Sequence, residues 1–277
     1  MTESEENSAV AFTEQAFVEW APVVPEHVLA GPRDSEFVCV REYIPSIFVE
    51  LVYGSAGNFT GQQIYSFSDA WLRYGTVRKL AAVCEELEKN GLYLKIWDGF
   101  RPVSSQFILW EVYPDSNFVA NPNQGFSAHS RGNTVDVTLV DAQGSELEMP
   151  TGFDDFSSRA DRDYSDCTDT AANNARLLES VMEKYGFQGY WGEWWHYTDT
   201  DSYDVETCFD PGVLSIWYAD CEEFITLREW PNMSAPEITK IPAGEAVTLL
   251  GYVEEFAYVQ YHGQRGYVLE RYIGQQP

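Results

Sequence analysis

The chain has 277 residues, 44% of them hydrophobic and 15% aromatic, and a net charge of −27. This length fits one large domain or two unequal ones, and the apolar content excludes a disordered chain. Seventeen Lys and Arg against forty-four Asp and Glu leave no basic face for phosphates, which argues against nucleic acid or an anionic membrane surface as partner.

Residues 1–36 mix acidic side chains with Pro22, Pro25 and Pro32 and read as an acidic tail and irregular lead-in. Residues 1–8 lack the basic start and apolar stretch of a signal peptide. Two locations stay open: the cytoplasm, or the cell envelope or exterior with a leader removed. No apolar run is long enough to span a membrane.

From Phe37 to Tyr53, β-branched and aromatic residues predict one or two strands around Pro45. Leu72, Val77, Leu80, Cys84 and Leu87 recur at helical spacing, with Ser66 or Ser68 as the expected cap and Asn90-Gly91 as the end. A short strand over Tyr93–Trp97, a turn Asp98-Gly-Phe-Arg-Pro102 and a helix over 103–112 follow. Residues 114–132, rich in Pro, Asn, Gly and Ser, read as a long loop of the kind that carries function.

Asn133 to Val140 alternates. Val135, Val137 and Leu139 share one face and Thr134, Asp136 and Thr138 the other, which predicts a half-buried strand. A helix over 170–185 stops at Gly186, and Gln188–Tyr197 is aromatic and strand-like. Beyond Asp210-Pro211-Gly212, short strands at Phe224–Arg228, Ala246–Tyr252, Tyr258–Tyr261 and Gly266–Leu269 predict a small β-barrel, with a tight hairpin at His262-Gly263.

The five cysteines show no C-x-x-C spacing, which disfavours a zinc ribbon. Cys84 is expected as a core thiol. Cys208 and Cys221 are candidates to bridge the two domains.

Two of the four histidines lie in two short runs, Ser127-Ala-His-Ser-Arg-Gly-Asn-Thr-Val-Asp136 and Glu193-Trp-Trp-His196. His129, Asp136 and His196 offer two imidazoles and a carboxylate, a three-ligand set that suits zinc and leaves a fourth position open. Glu193 remains as a spare carboxylate to act as general base. Residues i and i+3 of a flat strand face opposite ways, so Glu193 and His196 converge only if the segment twists, bulges or places Glu193 at the preceding turn, which Gly192 makes easy. A helical Glu-x-x-His would suggest a di-iron bundle, but no second copy exists.

The runs SAHSRGNTVDVTL and GEWWHY, with WDGFRP at 97–102, resemble the VanX-type D-alanyl-D-alanine dipeptidases of the zinc D,D-peptidase group. The likeness extends over about residues 50–205 and includes Asn58-Phe-Thr-Gly61 and Gly152-Phe-Asp154. The resemblance implies one zinc ion per chain on His129, Asp136 and His196, Glu193 as catalytic base and Arg101 as stabiliser of the oxyanion. It also implies Asp154 as binder of the substrate's ammonium and Ser127 as a substrate contact. The loop before Ser127 is shorter than in that family, and Trp191-Gly192 departs from its pattern.

Residues from about 214 resemble bacterial SH3 domains through Ile225-Thr-Leu-Arg-Glu-Trp230, the run 240–251 and the run 265–273. Such domains often target peptidoglycan, and Trp230, Tyr258 and Tyr267 are candidates to line a groove there. This appendage favours the cell envelope.

The expected fold class is α+β: a zinc peptidase domain over 37–210, with a mainly antiparallel sheet and flanking helices, then a small all-β SH3-like barrel over 214–277. The expected reaction is zinc-dependent hydrolysis of D-alanyl-D-alanine or a related D-amino-acid dipeptide. The alternatives are a D,D-carboxypeptidase or endopeptidase on wall stem peptides, and a non-catalytic wall-binding protein.

Overall fold

The computed structural model describes residues 32–275. The described residues form one compact unit. The expected acidic tail and lead-in over 1–36 falls almost wholly outside the described residues.

Strand β1 (Phe37–Cys39) pairs antiparallel with β3 (Trp71–Arg73), and the short helix α1 (Val40–Tyr43) and strand β2 (Phe48–Val49) lie between them. The first long helix, α2, starts at Tyr74 and not after Ser66 or Ser68, and Leu72 belongs to β3. The reason lies in its capping. Its first amides donate to backbone carbonyls, Tyr74 N–H to Glu36 at 2.8 Å and Gly75 N–H to Asp34 at 3.0 Å, so no side chain marks the start. The end at Glu88 is as expected, with Gly91 at φ 69° and its N–H on the carbonyl of Glu88.

Strand β4 (Tyr93–Asp98), helix α3 (Val103–Val112), strand β5 (Thr134–Val140) and helix α4 (Asp169–Lys184) follow. Thr168 caps α4, its hydroxyl accepting from Ala171 N–H at 3.1 Å. The strand-like stretch Gln188–Tyr197 falls on a hairpin, β6 (Phe187–Tyr190) and β7 (Glu193–Asp199), turned at Trp191-Gly192, so Glu193 follows a turn at Gly192 as one of the expected options has it. The sheet order is β2-β4-β5-β7-β6, with β2 parallel to β4 and every other pair antiparallel.

Leu80, Val83 and Leu87 of α2, Leu178 and Met182 of α4, and Val135, Val137 and Leu139 of β5 share one core. Each such side chain contributes about 1.5–3 kcal/mol on burial. Strand β5 is buried along its whole length, not half-buried as its alternation predicts. The segment after it closes the second face: Leu147 N–H bonds the Leu139 carbonyl, and Phe153 packs on Trp97 and Trp195. Asp136 is therefore buried.

The C-terminal part is all-β: β8 (Ser215–Ala219), β9 (Phe224–Arg228), β10 (Glu237–Pro242), β11 (Ala246–Val253), β12 (Phe256–Tyr261), β13 (Gln264–Leu269) and β14 (Ile273–Gly274). They form one antiparallel sheet around a core that includes Ile225, Leu227, Ile241, Leu249, Val259 and Val268. Strands β8 and β10 expose much of their side-chain surface, so their sequences carry little alternation. The hairpin at His262-Gly263 has both residues at positive φ, 46° and 76°, as a two-residue loop requires.

A third apolar cluster joins the two parts. Phe37, Phe100, Phe209 and Leu250 are buried together, with the Phe37 and Phe209 rings stacked at 4.5 Å. Arg265 crosses the junction to the Phe37 carbonyl at 3.1 Å, and Asp210 N–H bonds the Leu250 carbonyl at 2.9 Å. Cys208 and Cys221 are both free thiols, contrary to the bridge considered above, and the Tyr267 hydroxyl donates to Cys208. Tyr258 packs against the junction cluster and stacks on Tyr267 at 4.9 Å, both rings half-buried; Trp230 is exposed.

Candidate active site

Asp136 sits on the central strand β5, opposite His196 on β7 and Asp98 at the end of β4. An irregularity in pairing between Ile96 and Asp98 brings Asp98 to that level. His129 arrives from outside the sheet, on a single 3-10 turn over Ala128–Arg131 that follows Ser127. The Ser127 hydroxyl accepts from His129 N–H at 3.3 Å, and Gly132 ends the turn at φ 75°.

The metal-ligating atoms of His129, Asp136 and His196 lie within 4.8 Å of one another. His129 Nε2 is 3.3 Å from Asp136 Oδ2, and His196 Nδ1 is 3.1 Å from Asp136 Oδ1. The His129 tautomer follows from its other nitrogen, which lies 2.8 Å from the Gly99 carbonyl. A carbonyl only accepts, so Nδ1 carries the proton and Nε2 turns its lone pair toward the cluster. His196 Nε2 has the Thr198 hydroxyl at 3.4 Å, which leaves Nδ1 facing inward.

Asp136 Oδ1 is buried yet accepts no hydrogen bond. Burial raises a carboxyl's pKa, and it is positive charge on the two rings, or a cation between them, that holds Asp136 well below the usual carboxylate range. A buried, ionised carboxylate with an unmet oxygen, beside two inward imidazole nitrogens, is a donor set that fits a divalent metal.

Glu193 begins β7 directly after the Trp191-Gly192 turn, with Oε2 3.6 Å from His196 Nδ1. The i, i+3 difficulty is resolved by a break in pairing. Tyr190 stands opposite Glu193 and Gly189 opposite Tyr197, so the three residues between have no partner on β6. Burial pushes the Glu193 carboxyl up to about 7, against the pull of His196. Such a carboxyl is poised to take and return a proton near neutral pH.

Arg101 is buried, and Asp98 and Gln106 hold it. Its Nη2 and Nε reach Asp98 Oδ2 at 2.6 and 3.1 Å, and Nη1 reaches Gln106 Oε1 at 2.7 Å. Burial disfavours a cation, but Asp98 and its neighbours raise the guanidinium well above its ordinary value, so it stays charged. Asp98 Oδ1 accepts from the Tyr65 hydroxyl at 2.8 Å, which fixes the pair from behind.

Asp154 lies in a left-handed conformation at φ 57°, and the Tyr53 hydroxyl donates to its carboxylate at 3.0 Å. Burial, with repulsion from Asp136, pushes its carboxyl up to about 7.

All seven residues expected at the site, Arg101, Ser127, His129, Asp136, Asp154, Glu193 and His196, line one cavity of about 260 Å³. Tyr53, Phe59, Phe118, Phe156 and Tyr190 supply aromatic wall. Sequence reasoning missed Tyr53, Asp98 and Gln106. Asp98 was within reach, since it lies three residues before Arg101 in one run; Tyr53 and Gln106 carry no local signal, because only the fold brings them in.

Residues 33–211 match the D-ala-D-ala dipeptidase model of the M15 peptidases, and residues 223–274 match the bacterial SH3 domain. A D-alanyl-D-alanine dipeptidase of Escherichia coli is 35% identical over 59% of this chain and 84% of its own length. Enzymes of the same name from Enterococcus faecalis and Streptomyces coelicolor are 30% and 33% identical, over 65% and 63% of this chain and 99% and 96% of theirs. With its M15 match spanning more than half of the sequence, the chain belongs to the D-ala-D-ala dipeptidase family of peptidases.

Proposed function

We propose that this protein is a zinc-dependent D,D-dipeptidase that hydrolyses D-alanyl-D-alanine or a closely related D-amino-acid dipeptide in cell-wall metabolism. The observation that carries the reading is the convergence of His129, Asp136 and His196 around an unmet carboxylate oxygen, in the same small cavity as Glu193, Arg101 and Asp154.

His129, Asp136 and His196 would hold one zinc ion, which supplies Lewis acidity at the point their ligand atoms face. Glu193 takes the proton of the attacking water and returns it to the leaving amine. Arg101, already charged and fixed by Asp98 and Gln106, faces the negative charge that develops on the carbonyl oxygen. Asp154 pairs with the substrate's free ammonium, and the cavity's aromatic wall shields the reacting bond from bulk solvent. Ser127 offers its hydroxyl to the substrate while capping the turn that carries His129.

An Asp at the ammonium end of a small cavity suits a free dipeptide better than an extended stem peptide. The SH3 domain favours a location at the cell envelope and peptidoglycan as a partner of residues 214–277. One substrate panel tests the reading: turnover of free D-alanyl-D-alanine against pentapeptide-bearing muropeptides, with and without zinc removed by a chelator. Faster turnover of muropeptides, or full activity without zinc, sinks it. Sedimentation with insoluble peptidoglycan, before and after removal of residues 214–277, tests the partner.

A further inference from the structure

We infer that Arg162 is a positioning residue for the hairpin that carries Glu193 and His196, its guanidinium standing in for strand pairing that the hairpin lacks. The inference rests on the roles proposed above for those two residues. The break in register that lets Glu193 and His196 reach one cavity leaves Trp194, Trp195 and His196 without partners on β6. Carbonyls in such a gap need donors from elsewhere.

Arg162, only 8% exposed, supplies them. Its Nη2 donates to the carbonyls of His196 and Trp194 at 2.9 and 3.1 Å, and its Nε to the carbonyl of Tyr190 at 2.8 Å. Nη1 reaches the Tyr197 hydroxyl at 3.1 Å, and the Arg162 backbone N–H bonds the Trp191 carbonyl at 3.1 Å. One side chain and its own amide thus grip both strands and the turn between them. The guanidinium lies 4.4 Å from the centre of the Tyr197 ring, and Glu179 balances its charge at 3.3 Å.

The room for this is made by Gly189. A Cβ there would sit 2.3 Å from Arg162 Cζ. Lysine, with its donors on one point, cannot span the same carbonyls. Arg162 is not among the residues lining the cavity, so it acts through the hairpin and not on substrate.

Arg162→Lys and Gly189→Ala disturb this clamp from opposite sides. In the full chain, each should weaken zinc binding about 10–100-fold by chelator competition. Each should also speed amide hydrogen exchange over residues 187–197 of the metal-free protein, while α2 keeps its parental protection. For D-alanyl-D-alanine, kcat should fall and KM should hold. The double variant should be no worse than the poorer single, as expected for one shared device. Parental zinc affinity with parental exchange in the hairpin overturns the inference. So does acceleration spread evenly over the whole chain, which would make Arg162 a general stabiliser. Should Arg162→Lys fail to fold, Gly189→Ala, which retains every donor, carries the test. Hydrogen exchange needs no activity, so a chain that leaves the dipeptide intact counts against the proposed reaction and not against the clamp.

Discussion

Asp154 combines a left-handed backbone with a carboxyl pushed up to about 7. Holding a non-glycine residue in that conformation costs on the order of 1–3 kcal/mol, so the packing of Phe153 and Tyr53 must impose it. The electrostatic consequence has a definite sign. Above pH 7 the group is ionised and attracts an ammonium; below it the proton is on and the attraction is lost. KM for a free dipeptide should therefore rise as pH falls through 7. In Asp154→Asn that dependence should vanish, with KM high at every pH; initial rates on either side of neutrality decide it. Glu193→Gln should lower kcat by about 10²–10⁴ while zinc stays bound, measured by metal analysis beside turnover. For Arg101→Lys the expected loss in kcat is about 10²–10³, because an ammonium cannot hold Asp98 and Gln106 and still face the substrate.

Among the elements, the turn carrying His129 depends on a glycine. Gly132 has φ 75°, and a Cβ there would lie 2.3 Å from Phe37 Cε1. Gly132→Ala should cost about 1–3 kcal/mol in denaturant unfolding and weaken zinc binding in a chelator titration, since the same turn aims His129. How far such elements were legible depended on what marks them. Helix α4 announces itself by periodicity, and α2 ends on a glycine that the sequence displays. The start of α2 is hidden because carbonyls of Asp34 and Glu36 cap it. His129, Asp136, Glu193 and His196 were readable because metal chemistry demands rare residues at fixed spacing. The turn before Glu193 was offered by Gly192, but the gap in pairing between β6 and β7 was not legible, because the side chain that bonds its carbonyls is Arg162, distant in sequence. Strand β5 misled by its alternation, since its polar face is buried like its apolar one.

Across the whole molecule, the junction of Phe37, Phe100, Phe209 and Leu250 decides how the two parts behave. Phe209→Ala should cost about 3–5 kcal/mol and lower Tm by roughly 10 °C, followed by calorimetry. Because Phe100 directly precedes Arg101, the same change should also reduce turnover of a free dipeptide, a substrate the SH3 domain has no need to capture. The connecting segment is fastened on both sides: Glu206 N–H bonds the Ser130 carbonyl beside His129, and Asp210 N–H bonds Leu250. Gly251 lets them close, as a Cβ there would meet the Cys208 carbonyl at 1.6 Å. This docking changes what an appended module can mean. A flexible leash spreads its cargo through a volume that grows with its length. Two bodies bolted through a shared aromatic plug define one vector. Any polymer gripped by the SH3 domain would then be presented to the cavity at a single offset, so the molecule works as callipers set to one opening.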